Sequence, residues 1–403
     1  MKYLVVVYDG MADYPLEELN GGTPMTVAKK PTMDFLAADS QIGTVSNVPS
    51  HMVPESDTAN LAILSYDPAV YSRGRSPLEA VSMGIEMQPD ETAFRCNIVS
   101  LSEGDCAYED RTMLDYSSGE ITTPEADVLI RAVQEKFGNE FRHFYTGISY
   151  RHCLIWKDIP SLYNFARPHD ITDRCIREYV PQGEEGRPYL ELMKASFDLL
   201  NNHPLNLQRA KEGKPKANSL WLWSPGKKPA LPNFKEKWGL NGTVICAVDL
   251  IKGIGLCAGM KVPAVEGVTG NITTNFANKG RAAIDAFESG SDFVYVHVEA
   301  PDESGHHGDI GDKILSIEKI DSDILTPVYE YLKKSGDSFR ILCLPDHPTP
   351  ICKKTHTIDP VPFMIYASGE KQNGVASFTE ESARNKNFYL EHGYDLLGYL
   401  IKK

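Results

Sequence analysis

No stretch of the 403-residue sequence approaches the roughly 20 apolar residues of a helix that crosses a membrane. The short apolar core of MKYLVVVYDG at the start runs straight into acidic sequence, without the longer apolar region and cleavage site of a signal peptide. A cytoplasmic protein is the expectation. Lys/Arg-rich runs are also missing. With 41 Lys and Arg against 55 Asp and Glu, a formal charge of −14, the chain should repel nucleic acid and anionic lipid, so neither is expected as a partner. An anionic substrate would need a local basic pocket. The eight cysteines form no C-x-x-C pair. Several lie in apolar runs such as RILCLP and TVICAV, which reads as free thiols buried in a reducing compartment, outside the chemistry. Internal repeats and low-complexity segments are absent too. The 42% hydrophobic and 24% charged residues fit a globular protein and exclude a disordered or fibrous one.

What is present is an alternation of short β-branched runs and helical patterns. YLVVVYDG (3–10), FVYVHVEA (293–300), FRILCLPDH (339–347) and VPFMIYA (361–367) are apolar runs, each closed by polar residues or lying beside a Gly. KGRAAIDAFESG and ILSIEKIDSDILTPVYEYLKKSG between them carry helical periodicity, the second with a Lys-Lys and Gly stop. Strands buried on both faces and joined by helices predict an α/β fold with a doubly wound, mainly parallel sheet. From about Thr92 to Ser224 the strands are shorter and the connections more polar, and a Pro-rich segment, SPGKKPALPNF, follows. The organisation expected is a discontinuous α/β domain of residues 1–91 and 229–403 with a smaller α+β domain, 92–228, inserted.

Ligands of open α/β sheets bind at the carboxyl ends of the strands. Asp9 closes the first run, Asp302 and His306 follow another, Asp346 and His347 close a third, and His356 lies nine residues further on. Alone, each is an ordinary cap, turn former or solvated side chain. Together they suit two divalent metals bound through oxygen and imidazole. Ser56 stands before the helical run TANLAIL. Such a serine is a common N-cap, and the same position suits a nucleophile receiving a phosphoryl group.

VVVYDGMADYP, PESDTANLAILSYDP, VHVEAPDESGHHGD, LPDHPTP, KTHTIDPVPF, NLQRAKEGKPKAN and DLIKGIGLCAGM together resemble the archaeal-type, cofactor-independent phosphoglycerate mutases of the alkaline phosphatase superfamily. The pieces span nearly the whole chain in the family's order. The resemblance implies an isomerase that interconverts 3-phosphoglycerate and 2-phosphoglycerate in glycolysis, with Ser56 as the nucleophile that becomes phosphorylated. It implies one metal held by Asp302, His306 and His356, and a second held by Asp9, Asp346, His347 and Ser56. Manganese is the metal implied, with zinc, cobalt or magnesium as alternatives. Glu303, His307 and Asp309 fall outside the family's D-x-x-x-H pair and become supporting or solvated residues. The inserted domain is implied to hold the substrate through Arg111, Arg151 and Arg209, with Asp110 as general base and Lys252 reaching in from the larger domain. Each Arg reads equally as half of a surface ion pair. Substrate bound between the domains should close them about hinges near 88–92 and 225–233, where Gly226, Pro229 and Pro232 lie. The chain departs from the family in WLWSPGKK, with Trp221 and Trp223, and in YEDRTML, which keeps only Asp110 and Arg111. A Trp-rich subgroup resembles homoserine kinases, which leaves homoserine as an alternative acceptor; core packing is the other reading of the two tryptophans.

Overall fold

The computed structural model of the chain describes residues 1–159 and 163–401. The run YLVVVY forms β1 (Lys2–Tyr8), buried from Tyr3 onward. The other strands are β2 (Gln41–Val45), β3 (Glu91–Leu101), β4 (Met113–Asp115), β5 (Arg142–Ile148), β6 (Arg151–Lys157), β7 (Ser219–Gly226), β8 (Gly242–Ile245), β9 (Phe293–Val298), β10 (Phe339–Leu344), β11 (Val361–Ala367) and β12 (Tyr389–Leu390). A seven-stranded sheet has the order β12-β2-β11-β10-β1-β9-β8. Its central run, β10-β1-β9-β8, is wholly parallel. Strand β11 alone is reversed, antiparallel to both β10 and β2, a direction that its apolar pattern did not reveal.

Helices cover both faces of this sheet. On one face Leu4, Val6, Val294 and Val296 pack with Phe287 of the helix Phe276–Glu288 and Ile317 of the helix Ile310–Ile320. On the other, Tyr295 donates to Asn60 Oδ1 in the helix Ser56–Ile63. Two-sided burial explains why β9 and β10 read as continuous apolar runs. The sheet belongs to a unit formed by Met1–Ser72 and Ala230–Lys403, and Arg73–Pro229 form a second unit.

The second unit is antiparallel. Strand β3 runs between β6 and β7, with β5 beyond β6 and β4 pairing the far end of β3. Residues 73–91, which the sequence assigned to the larger domain, cluster here instead. The helix Ser76–Ser82 is the reason: Ser76 Oγ accepts from Arg95 N (3.0 Å) and donates to Ser224 O, while Ala80, Ile85 and Met87 pack with Ala93, Cys153 and Ile155. Trp221 and Trp223 are 1% and 8% exposed within the core of this unit. Their Nε1 atoms donate to Ala166 O and Asn97 Oδ1, each at 2.9 Å, so both are packing residues. Among the described residues no helix is long and apolar enough to cross a membrane.

One buried group gives this unit a pH dependence. His152 on β6 accepts from Gly147 N through Nδ1 (3.1 Å), its Nε2 lacks a partner among the described residues, and burial holds its pKa at about 3, against a smaller opposing pull from Asp127. Below the unfolded value of about 6.5 the unfolded chain takes up a proton that the folded one refuses, so stability falls with pH in that window. At pH 5 the loss from this ring is about 2 kcal/mol relative to pH 7.5. Urea unfolding of the parent and of His152→Gln at both pH values checks this: the parent should lose more, and equal losses would refute it.

Candidate active site

Strands β10, β1 and β9 are sheet neighbours, and their carboxyl ends deliver the polar side chains to one place. Asp9 follows β1, and Asp346 and His347 follow β10. Beyond β9 the helix Ala300–His307 carries Asp302 and His306 four residues apart on one face. Ser56 is the first residue of its helix, with Glu55 at the N-cap position. The capping role open to Ser56 from sequence is therefore not the one it has. Its Oγ lies 3.2 Å from His347 Nε2.

Two groups of side chains form. In the first, Asp302 stands 3.3 Å from both His306 Nε2 and His356 Nε2, and the two Nε2 atoms are 2.9 Å apart. His306 Nδ1 lies 3.0 Å from Lys354 O and His356 Nδ1 lies 2.7 Å from Pro54 O, so each ring gives its Nδ1–H to a carbonyl and turns Nε2 inward. Two facing imine nitrogens repel unless a proton or metal ion sits between them. The bond to Asp302 raises His306 to about 9, so a metal would have to displace a proton here. In the second group, His347 Nε2 is 3.6 Å from Asp9 Oδ1 and from Asp346 Oδ2. The His347 and His356 rings stack at 3.9 Å, so the groups adjoin.

Supporting bonds fix these side chains. Asp346 accepts from Asn60 Nδ2 (2.8 Å), Gly10 N (3.2 Å) and its neighbour His347 N (2.9 Å). Thr349 donates to Asp302 Oδ1. The carbonyl of Thr349 accepts from the buried Lys313 Nζ (2.8 Å), which also pairs with Asp13 (2.7 Å). Asp9 differs, because among the described residues neither of its fully buried oxygens makes a hydrogen bond. Burial, and the charges of Asp346, Asp302 and Glu299, push its pKa well above the usual carboxylate range. Glu299 rises to about 8, through burial and then Asp302. Three aspartates and a glutamate buried this close together, one of them without a donor, call for a cation. Ligand atoms about 2.1 Å from a divalent ion lie about 3.0–3.4 Å apart at adjacent corners; the separations of the first group, 2.9 and 3.3 Å, are near this range, and those of the second, 3.6 Å, are slightly wider. Groups able to hold an ion are Asp302, His347 and His356; Asp9, His297 and Asp346; and Asp9, Glu299 and Asp302.

Gly10 makes the geometry possible. It has φ +63°, and a Cβ there would lie 2.6 Å from Thr349 Oγ1 and 2.7 Å from Asp302 Cα. Gly10→Ala should destabilise the protein by about 2–4 kcal/mol and displace Asp302. Urea unfolding together with metal-binding titration checks both; an unchanged midpoint would contradict the packing argument.

The sequence reading missed His297, Glu299, Asn60 and Thr349. His297 had a signal: it is the one polar residue in FVYVHV, and its Nε2 stands 3.2 Å from Asp9 Oδ2. His307 is exposed beside Glu303 (3.5 Å), and Asp309 caps the helix Ile310–Ile320. Lys252, on the helix Asp249–Cys257, pairs with Asp249 at 3.1 Å.

The remaining residues that the sequence singled out lie in the second unit and differ in their surroundings. Arg151 is exposed at the start of β6, its guanidinium over the Tyr150 ring. Asp110 accepts from Arg177 Nη2 at 2.5 Å. The guanidinium of Arg111 is committed within its own unit, donating to Ser102 O (2.7 Å) and lying over the Phe197 ring. So is that of Arg209, 2% exposed, which donates to Glu125 (2.9 Å), Ser118 O (2.8 Å) and Pro215 O (3.1 Å).

Residues 37–206 match the family described as 2,3-bisphosphoglycerate-independent phosphoglycerate mutase. Over 404 residues the chain is 46% identical to the Methanosarcina barkeri protein bearing that description, covering 100% of both. It is 45% identical over the same length to a probable one from Geobacter sulfurreducens, again with 100% of both covered. A solved structure of a Pyrococcus horikoshii protein is similar with a TM-score of 0.82 at 28% identity, covering 100% of this chain and 96% of that one. The cofactor-independent phosphoglycerate mutase of Thermoplasma acidophilum is similar with a TM-score of 0.70 at 26% identity, over 100% and 99%.

Proposed function

Because the chain belongs to the 2,3-bisphosphoglycerate-independent phosphoglycerate mutase family, we propose that it interconverts 3-phosphoglycerate and 2-phosphoglycerate through a phosphoserine at Ser56. The observation that carries the reading is the Ser56 hydroxyl, at the first turn of a helix and 3.2 Å from His347 Nε2, beside the Asp9 and Asp346 carboxylates. Ser56 Oγ forms a bond to phosphorus as the bond to the 3-oxygen breaks; the 2-hydroxyl of the retained glycerate then takes the phosphoryl group and Oγ leaves. The amide groups of the helix amino end favour the incoming anion.

In this reading Asp302, His306 and His356 hold one divalent ion, and Asp9, Asp346, His347 and Ser56 a second. Mn²⁺ is proposed, with Zn²⁺, Co²⁺ or Mg²⁺ as alternatives. Bound there, such ions lower the serine pKa and neutralise charge on the transferring phosphoryl group. Lys252 and the exposed Arg151 are proposed to bind substrate oxyanions. Arg111 and Arg209 would have to exchange carbonyl partners to do so. Asp110 is proposed to accept the proton of the glycerate hydroxyl, a role compatible with its bonds from Arg177, both of which go to Oδ1. A cytoplasmic location is part of the same proposal, as that of a glycolytic enzyme. Trp221 and Trp223 are core residues and carry no information on the acceptor, so homoserine is the alternative that the test separates. The test is to incubate the Mn²⁺-loaded protein with 3-phosphoglycerate and follow 2-phosphoglycerate. No turnover, with phosphate transfer to homoserine instead, would reject the proposal.

A further inference from the structure

His297 belongs to neither ligand group proposed above. It is the penultimate residue of a fully buried strand, paired with Val7 of β1, and its carbonyl accepts from the buried Lys279 Nζ at 2.9 Å. Among the described residues neither ring nitrogen makes a geometrically sound hydrogen bond, and neither carboxylate oxygen of Asp9 makes one. Yet His297 Nε2 and Asp9 Oδ2 face each other at 3.2 Å, misaligned for a hydrogen bond. An imidazole and a carboxylate buried face to face without a hydrogen bond between them are an arrangement that protein atoms leave unsatisfied. One ion would satisfy both. Adjacent ligand atoms on a divalent ion with bonds of about 2.1 Å lie about 3.0 Å apart at an octahedral corner and about 3.4 Å apart at a tetrahedral one. The observed gap falls between these values, and the ligand atoms of Asp9, His297 and Asp346 all lie within 4.8 Å of one another.

We propose that His297 is an additional ligand of the ion held by Asp9 and Asp346. The assignment rests on the two-ion reading under Proposed function and extends it. That ion then has two imidazoles, from His347 and His297, beside its carboxylates and the serine oxygen. A second nitrogen donor shifts the site from hard cations toward borderline ones, so Zn²⁺ and Co²⁺ should be favoured over Mg²⁺ more strongly than at a site with one imidazole. Anchored by its pairing with Val7 and by the Lys279 bond to its carbonyl, the residue is held in place before the ion arrives.

Equilibrium dialysis and the visible absorption of bound Co²⁺, on the parent and on His297→Asn, test this. The parent should bind two ions. The variant should bind one of them at least about tenfold more weakly, with an altered Co²⁺ spectrum and a smaller change in Mg²⁺ affinity. Two ions in the parent with an unchanged spectrum and affinity in the folded variant would overturn the His297 assignment alone. Fewer than two ions in the parent would overturn the two-ion reading and this assignment with it. Should the variant not fold, anomalous scattering from crystals of the Zn²⁺-loaded parent decides. Zinc within about 2.3 Å of His297 Nε2 is expected, and a separation beyond about 3 Å rejects the proposal.

Discussion

Ser56→Ala should fold as the parent does and interconvert the phosphoglycerates at least about a thousandfold more slowly. Loss of a nucleophile removes the covalent route itself, and such losses run to several powers of ten in the rate. The effect on stability should be small. The Ser56 side chain is half-buried, its hydroxyl contacts His347 Nε2, and the Ser56 carbonyl that accepts from Asn60 Nδ2 at 2.8 Å is kept. Parallel measurement of turnover and urea midpoint separates the two effects. A variant with more than a tenth of the parent rate would end the phosphoserine reading, as would failure to trap phosphate on the Ser56 peptide of the parent.

The second large effect has opposite signs with and without metal. Asp9→Asn should weaken metal binding by at least about a hundredfold and lower activity to match, because a formally anionic ligand is replaced by a weak neutral one. In chelator the same variant should be more stable than the parent, by about 1–3 kcal/mol near neutral pH. The sign follows from the native carboxyl, whose pKa is raised by burial and by the neighbouring Asp346. A raised carboxyl binds protons more tightly in the folded than in the unfolded chain. Its penalty is absent below about pH 4 and grows as pH rises toward the folded pKa. Urea unfolding in EDTA and in Mn²⁺ reads both signs. If the variant is equally destabilised in both, Asp9 is a packing residue and the ion site lies elsewhere.

Much of this layout was legible in the chain because parallel strands buried on both faces announce themselves as unbroken apolar runs. Whatever polar residue ends such a run stands at the sheet edge. Asp9, Asp302, His306, Asp346 and His347 were visible on that ground. His297 was overlooked for the complementary reason: inside a run it reads as part of the strand, and only pairing with β1 brings it to Asp9. The arginines show where local reading stops. Arg209 looks like an available cation in NLQRAKEG, but its partners Glu125 and Ser118 lie 84 and 91 residues away in sequence. Nothing near Arg209 in the chain predicts that it is committed. The unit boundary was misplaced in the same way, since the helix Ser76–Ser82 joins the second unit through contacts with β3 and β7 that form only in three dimensions.

The hydrogen bond from His356 Nδ1 to the carbonyl of Pro54, at 2.7 Å, has a consequence for how the site is assembled. Pro54 lies two residues before Ser56, so one imidazole ring touches the segment that leads into the serine proposed as nucleophile and, through its opposite nitrogen, the place proposed for an ion. An ion drawing electron density from Nε2 makes Nδ1–H a stronger donor and tightens its hold on that carbonyl. An ion at that place would thus brace the entrance to the helix that begins at Ser56.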